Sequence, residues 1–276
     1  MRNTKKINKI RYGQKTGAIT AFITEENISE LDPFVLWDHF KAKEVLLSAG
    51  LDYHGHSGID AISYPVAGRL RHLDSAGSHV TLASGDIHVM TSGNGVIHKD
   101  TMRPNNGLVE SFSLWTALPA GDPEMANASS INIAAANIPL VEEADTTTKI
   151  LIGSYNNVTS PVNYSIPITY LDIMIAPYGA WFFEPDKRQT SGFVYIRSGN
   201  VYVNGNQLHS RQMGILQPSP LPLEIKTGNL GARIFVTLGE PLHQPFISSG
   251  SSVHSSSHNM EMGTKKIMQL MASLRN

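Results

Sequence analysis

The chain contains no cysteine. That absence removes disulfides, thiolate metal sites and a cysteine nucleophile together, and leaves His, Asp and Glu to supply any metal chemistry. An excess of one charge is also missing, since 22 Lys and Arg stand against 23 Asp and Glu. A nucleic-acid surface or an anionic-membrane binder relies on surplus Lys and Arg, so neither partner is expected. The basic opening holds Arg2, Lys5, Lys6, Lys9, Arg11 and Lys15, but no apolar h-region follows, so it does not read as a secretory signal. Nor does any apolar run reach the length of a bilayer span. The expectation is a soluble, cytoplasmic protein whose basic start is a solvated arm leading into a first strand.

What the chain has instead is many short strands. Residues 18–24, 58–65, 68–73, 79–83, 86–91 and 107–117 carry strand patterns, more follow after Ile150, and Gly, Asn, Asp and Pro separate them. This is the pattern of all-β sandwiches and barrels, and 276 residues suffice for one large domain or two ordinary ones. The Asn-, Ala- and Ser-rich stretch at 126–138 reads as a linker. Beyond it, Phe193 to Arg197 and Val201 to Val203 suggest a hairpin around Ser198-Gly199-Asn200, echoing Ala61 to Val66 and Leu70 to His72 around Ala67-Gly68-Arg69. The run Ser248 to His258 reads as a flexible crossing. After it, Ile267, Leu270, Met271 and Leu274 form one apolar helical stripe, with Thr264 as the expected N-cap and the helix acting as a strap against a barrel.

The chemistry is concentrated in two triplets. His54-Gly55-His56 is answered by His98-Lys99-Asp100, which follows the glycine-rich run Thr91 to Gly95. On a strand, residues i and i+2 share a face about 6.6 Å apart, so each triplet aims two ligand-type side chains at one place. Three imidazoles and a carboxylate suit iron, nickel, copper, zinc or manganese. Asp60 is a rival carboxylate of the same parity as His56, about 13 Å further along an ideal strand. The same spacing admits the bland alternative of hydrogen-bonded core histidines. His39, His72, His79, His88, His209, His243, His254 and His258 lack such pairing and are read as surface or hydrogen-bonded residues.

These residues resemble the pirin family of bicupins. The resemblance runs through Leu31-Asp32-Pro33-Phe34, His54-Gly55-His56-Ser57-Gly58, residues 68–75, Gly85-Asp86, residues 90–98, Leu114-Trp115 and Leu118-Pro119. Residues 159–162, Tyr170-Leu171-Asp172 and Gly239-Glu240-Pro241-Leu242 continue it more loosely. It implies two cupin-type β-barrels with a short C-terminal helix: an N-terminal barrel over 1–125, the linker, a C-terminal barrel over 139–245 and a tail over 246–276. It further implies one divalent transition metal, iron first, in the N-terminal barrel on His54, His56, His98 and Asp100. The C-terminal barrel, which shows no comparable HxH pair and in which Trp181, Phe182 and Phe183 are read as core, is expected to be structural.

The implied activity is that of a quercetinase-like, metal-dependent dioxygenase on a small aromatic flavonol, with Asp100 as general base. A regulatory metal protein with a protein partner is the alternative, and a cupin without its metal a third. The family usually has glutamate where this chain has Asp100, shorter by about 1.5 Å of reach. It also usually has proline, arginine and glutamate where Gly55, Ser57 and Asp60 stand, so the pocket edge differs.

Overall fold

The structure, a computed structural model, describes residues 3–46 and 48–274. Arg2 of the basic opening lies outside them. Up to residue 135 the strands are β1 (Ile7–Tyr12), β2 (Gln14–Thr16), β3 (Ile19–Ile23), β4 (Phe34–Ala42), β5 (Ala49–His56), β6 (Ile59–Ala67), β7 (Arg69–Asp74), β8 (His79–Leu82), β9 (Ile87–Thr91), β10 (Val96–Arg103), β11 (Val109–Ala117) and β12 (Ser129–Ile133). The helical turn α1 (Asp122–Met125) precedes β12. There follow β13 (Leu140–Glu142), β14 (Thr146–Ile152), β15 (Ser154–Tyr155), β16 (Val158–Thr159), β17 (Ile168–Ile175), β18 (Ala180–Phe183), β19 (Ser191–Val203), β20 (Asn206–His209), β21 (Gln212–Leu216) and β22 (Leu223–Gly239). The tail adds β23 (Ile247–Ser248), β24 (Val253–His254) and the helix α2 (Ser257–Ser273). Among the described residues no helix is long and apolar enough to cross a membrane.

Two compact units result, and neither is a single stretch of chain. One combines residues 15–135 with 242–276, and the other combines 1–14 with 136–241. The first unit faces a seven-stranded sheet, in the order β12-β9-β6-β11-β4-β3-β2, with a four-stranded sheet, β5-β10-β7-β8. Its core includes Val35, Ile59, Met90, Val96 and Val253. The stretch read as a linker contains β12, whose residues pair with β9 from Ser129↔Thr91 to Ile133↔Ile87. Ile131 and Ile133 alternate with polar neighbours, a pattern that suits an edge strand as well as a loop.

The second unit is a nine-stranded sheet whose interior is filled by Leu, Ile and Val together with Trp181 and Phe183. Trp181 donates its indole N–H to Thr148 Oγ1 at 3.1 Å. Here the basic opening is not a solvated arm. β1 pairs with β21, and Lys5 is fully buried with its ammonium on the carbonyls of Gln189, Thr190 and Ser219. Three carbonyl acceptors compensate part of the desolvation, which still lowers the Lys5 pKa to about 8.

Neither expected hairpin forms. Residues 191–203 are one bent strand with register slips near Gly199, where φ is +80° and an added Cβ would lie 2.1 Å from Gly231 O. Likewise Gly68, at φ +83°, is the corner at which β6 of one sheet passes into β7 of the other. The turn-like triplets mark barrel corners, because a glycine that permits a positive φ bends a strand as readily as it reverses one.

Candidate metal centre

β5 and β10 run antiparallel with His98 directly opposite His54 and Val96 opposite His56. The alternation places His54, His56 and His98 on the inner face, where their ring centroids lie 4.2 to 4.9 Å apart. One ring nitrogen from each lies within 4.8 Å of the others.

Two of the three rings are oriented from outside the cluster. His54 Nδ1 donates to Asp52 O at 2.8 Å, a carbonyl presented where the register of β5 slips by one residue between His98 and Asp100. His56 Nδ1 donates to Ser251 O at 2.6 Å, so the run read as a flexible crossing fixes this ring. Ser252 Oγ accepts the Ser57 N–H at 2.9 Å, and buried His254 meets Ser57 Oγ at 2.9 Å. These bonds leave each Nε2 lone pair facing inward.

His56 Nε2 lies 3.0 Å from His98 Nε2. About 3.0 Å is the separation of two nitrogens that sit ~2.1 Å from one ion at a right angle. Burial, followed by repulsion from His98, lowers the His56 pKa to about 3, and burial also lowers that of His54. Both are therefore neutral imidazoles near pH 7, the form that ligates. The donor set fits a divalent transition metal.

Asp100 is placed differently. The slip in β5 puts Leu51 opposite Asp100 on one side, while β7 puts His72 opposite it on the other. Its carboxylate accepts from His72 Nδ1 at 2.8 Å and stands 3.4 Å from His98 Nδ1, on the far side of that ring from the three-histidine group. Burial would raise the Asp100 pKa, but the hydrogen bond from His72 and the adjacent His98 ring outweigh it and hold the carboxyl well below its usual range. His72 also meets Asp74 Oδ2 at 3.0 Å. Burial pulls His72 down, yet its two carboxylate partners raise its pKa to about 9.

The hydrogen bonds expected of His72 are there, but they belong to the site. His88 joins it at a ring distance of 4.2 Å. The signal available in the sequence was that His72 and Asp74 form a further i, i+2 pair. Asp60 is elsewhere: it lies in β6, is buried, and accepts from Thr91 Oγ1. Ala61 and Ser63 are the β6 residues that line the cavity, which puts Asp60 on the opposite face.

The histidines open into a cavity of about 200 Å³ between the two sheets. Leu36, Phe40, Met90, Met102 and Trp115 line it, with Trp115 edge-on to His56 at 4.8 Å. Family models for the pirin domain and the pirin C-terminal cupin domain match residues 14–116 and 170–267. The chain belongs to the pirin family. Pirin-1 of Arabidopsis thaliana is 29% identical over 247 residues, covering 87% of this chain and 83% of that protein. A Pseudomonas aeruginosa protein provisionally named quercetin 2,3-dioxygenase is 26% identical, with 90% of this chain and 89% of that one covered. The crystal structure of a quercetin 2,3-dioxygenase from Acinetobacter baumannii superposes with a TM-score of 0.86 at 21% identity over 96% of each chain. This pirin is thus a bicupin, and its His, Asp and Glu groupings of metal-binding geometry among the described residues all lie in the first unit.

Proposed function

We propose that this pirin is a metal-dependent dioxygenase acting on flavonol-type aromatic substrates, with the ion held by His54, His56 and His98 and with iron the first choice of metal. The observation that carries the reading is the convergence of three imidazoles at the wall of a largely apolar cavity. When bound, the ion supplies Lewis acidity toward a phenolic oxygen and redox access to molecular oxygen. Asp100 stands behind His98, 3.4 Å from its Nδ1, the side from which carboxylates commonly orient metal-ligating histidines. It also lines the cavity. Trp115, Leu36 and Met90 provide a flat apolar wall that orients a ring system and excludes water.

Protein loaded separately with iron, nickel, copper or manganese should consume a flavonol and oxygen together, read by absorbance and an oxygen electrode. His56→Ala should abolish both signals. Failure of all four metals to support turnover would overturn the proposal.

A further inference from the structure

The wall facing the histidines is built in tiers. Across β4, β11, β6 and β9, the pairings Leu36↔Trp115, Trp115↔Ala61 and Ala61↔Met90 form one row, entirely apolar. Two residues along each strand, Asp38↔Ser113, Ser113↔Ser63 and Ser63↔His88 form the next, entirely polar. All eight side chains line the same cavity as the three histidines. A cavity meant only for a hydrocarbon surface has no use for the second row.

Two of the four residues in the polar row are also unsatisfied. Asp38 Oδ1 and both ring nitrogens of His88 are buried without a hydrogen-bond partner, and His88 is 1% exposed. Buried polar atoms are nearly always paired, so three orphans on one row of a cavity mark places where an occupant belongs. Burial raises the Asp38 pKa to about 7, and burial with repulsion from His72 lowers that of His88 to about 4. A carboxyl that is partly protonated and a neutral imidazole each both donate and accept. A hydroxyl group does the same, whereas an ether or a bare ring edge cannot.

We infer that Asp38, Ser113, Ser63 and His88 form a recognition row that selects aromatic substrates bearing a hydroxyl remote from the oxygen presented to the metal. The inference rests on the cavity being the substrate site, and it deepens that reading by assigning specificity to the facing sheet. A site built to pair with a hydroxyl penalises the analogue that lacks it, because its own buried groups are then left unpaired.

The test is equilibrium binding by calorimetry to the metal-loaded full chain, comparing 3-hydroxyflavone with 3-hydroxyflavones carrying further hydroxyls on the fused or the pendant ring. At least one polyhydroxylated ligand should bind tenfold or more tightly than the parent. Asp38→Leu and Ser113→Ala should each shrink that preference to under threefold at unchanged metal content. Asp38→Asn, which still donates and accepts, should keep it. Ser113→Ala is a small change that guards against misfolding of the leucine variant.

Equal binding of parent and hydroxylated ligands by the unaltered protein, or a full preference in Asp38→Leu, would overturn the recognition row. A hydroxyl preference without turnover would remove the dioxygenase reading and leave the row standing. Turnover without the preference would do the reverse.

Discussion

His56 shows how much of a metal centre depends on atoms far away in the sequence. Its ring is aimed by strand alternation, but its tautomer is set by Ser251 O, 195 residues further on. Asp100 shows the same dependence with another outcome, because its cross-strand neighbours are Leu51 and His72 and its carboxylate goes to His72. Elemental analysis should therefore show His56→Ala and His98→Ala without bound ion. Asp100→Asn should retain it with about 10–100-fold weaker affinity in chelator competition. Loss of the ion from Asp100→Asn as complete as from the histidine variants would make the carboxylate a direct ligand.

Asp38 gives a second prediction at this scale. Its pKa is about 7 in the fold against an ordinary 3.8, so the unfolded chain releases this proton first as pH rises. The contribution to stability is fully present below pH 3.8 and is lost as pH climbs toward 7. Asp38→Asn removes that loss, and its melting temperature relative to the unaltered protein should be higher at pH 8 than at pH 5. A pH-independent difference would contradict the assignment.

Among the elements, α2 is the least expected in its details. A stripe strapped against a barrel is what its spacing suggests, and α2 does pack on β5 and β10. The helix begins earlier than Thr264, with Ser256 as N-cap accepting from Asn259 N, because Ser256 is followed by a full turn that Glu124 anchors through Ser255 and Asn259. Thr264 lies within the helix and bonds back to Met260 O.

The helix also explains Gly55. Ile267 sits so close that an added Cβ at this position would lie 2.2 Å from Ile267 Cγ2. The residue between the two histidines is small because the strap occupies the outer face of β5. Gly55→Ala should destabilise by about 1–3 kcal/mol through overpacking, measured by denaturant unfolding. Gly55→Ala combined with Ile267→Ala should recover a substantial part of that cost. Additive losses would show that the two side chains do not compete for the same space.

For the whole molecule, the two units exchange ends: residues up to Gln14 belong with 136–241, and those from Leu242 belong with 15–135. A division at 125 and 139 misses this, since a strand of either barrel carries the same alternation and only its pairing partner reveals where it lies. Deletion of residues 1–14 should accelerate amide exchange in β21, which loses its partner β1, and around Thr190 and Ser219, which lose Lys5, and leave β6 and β11 protected. Faster exchange in β6 and β11 would place the opening strand in the wrong unit.

Local patterning determined the all-β class, most strand positions, the C-terminal helix and the shared faces of His54 with His56 and of His98 with Asp100, because i, i+2 periodicity is a property of a strand wherever it ends up. It also offered family motifs through which two barrels were expected. The sequence could not decide that Asp100 turns to His72, that Gly68 and Gly199 are corners, or that Asp38, Ser113, Ser63 and His88 share a row. Those outcomes depend on inter-strand register, where one slipped residue changes which side chains meet, and register is settled only when the strands pair.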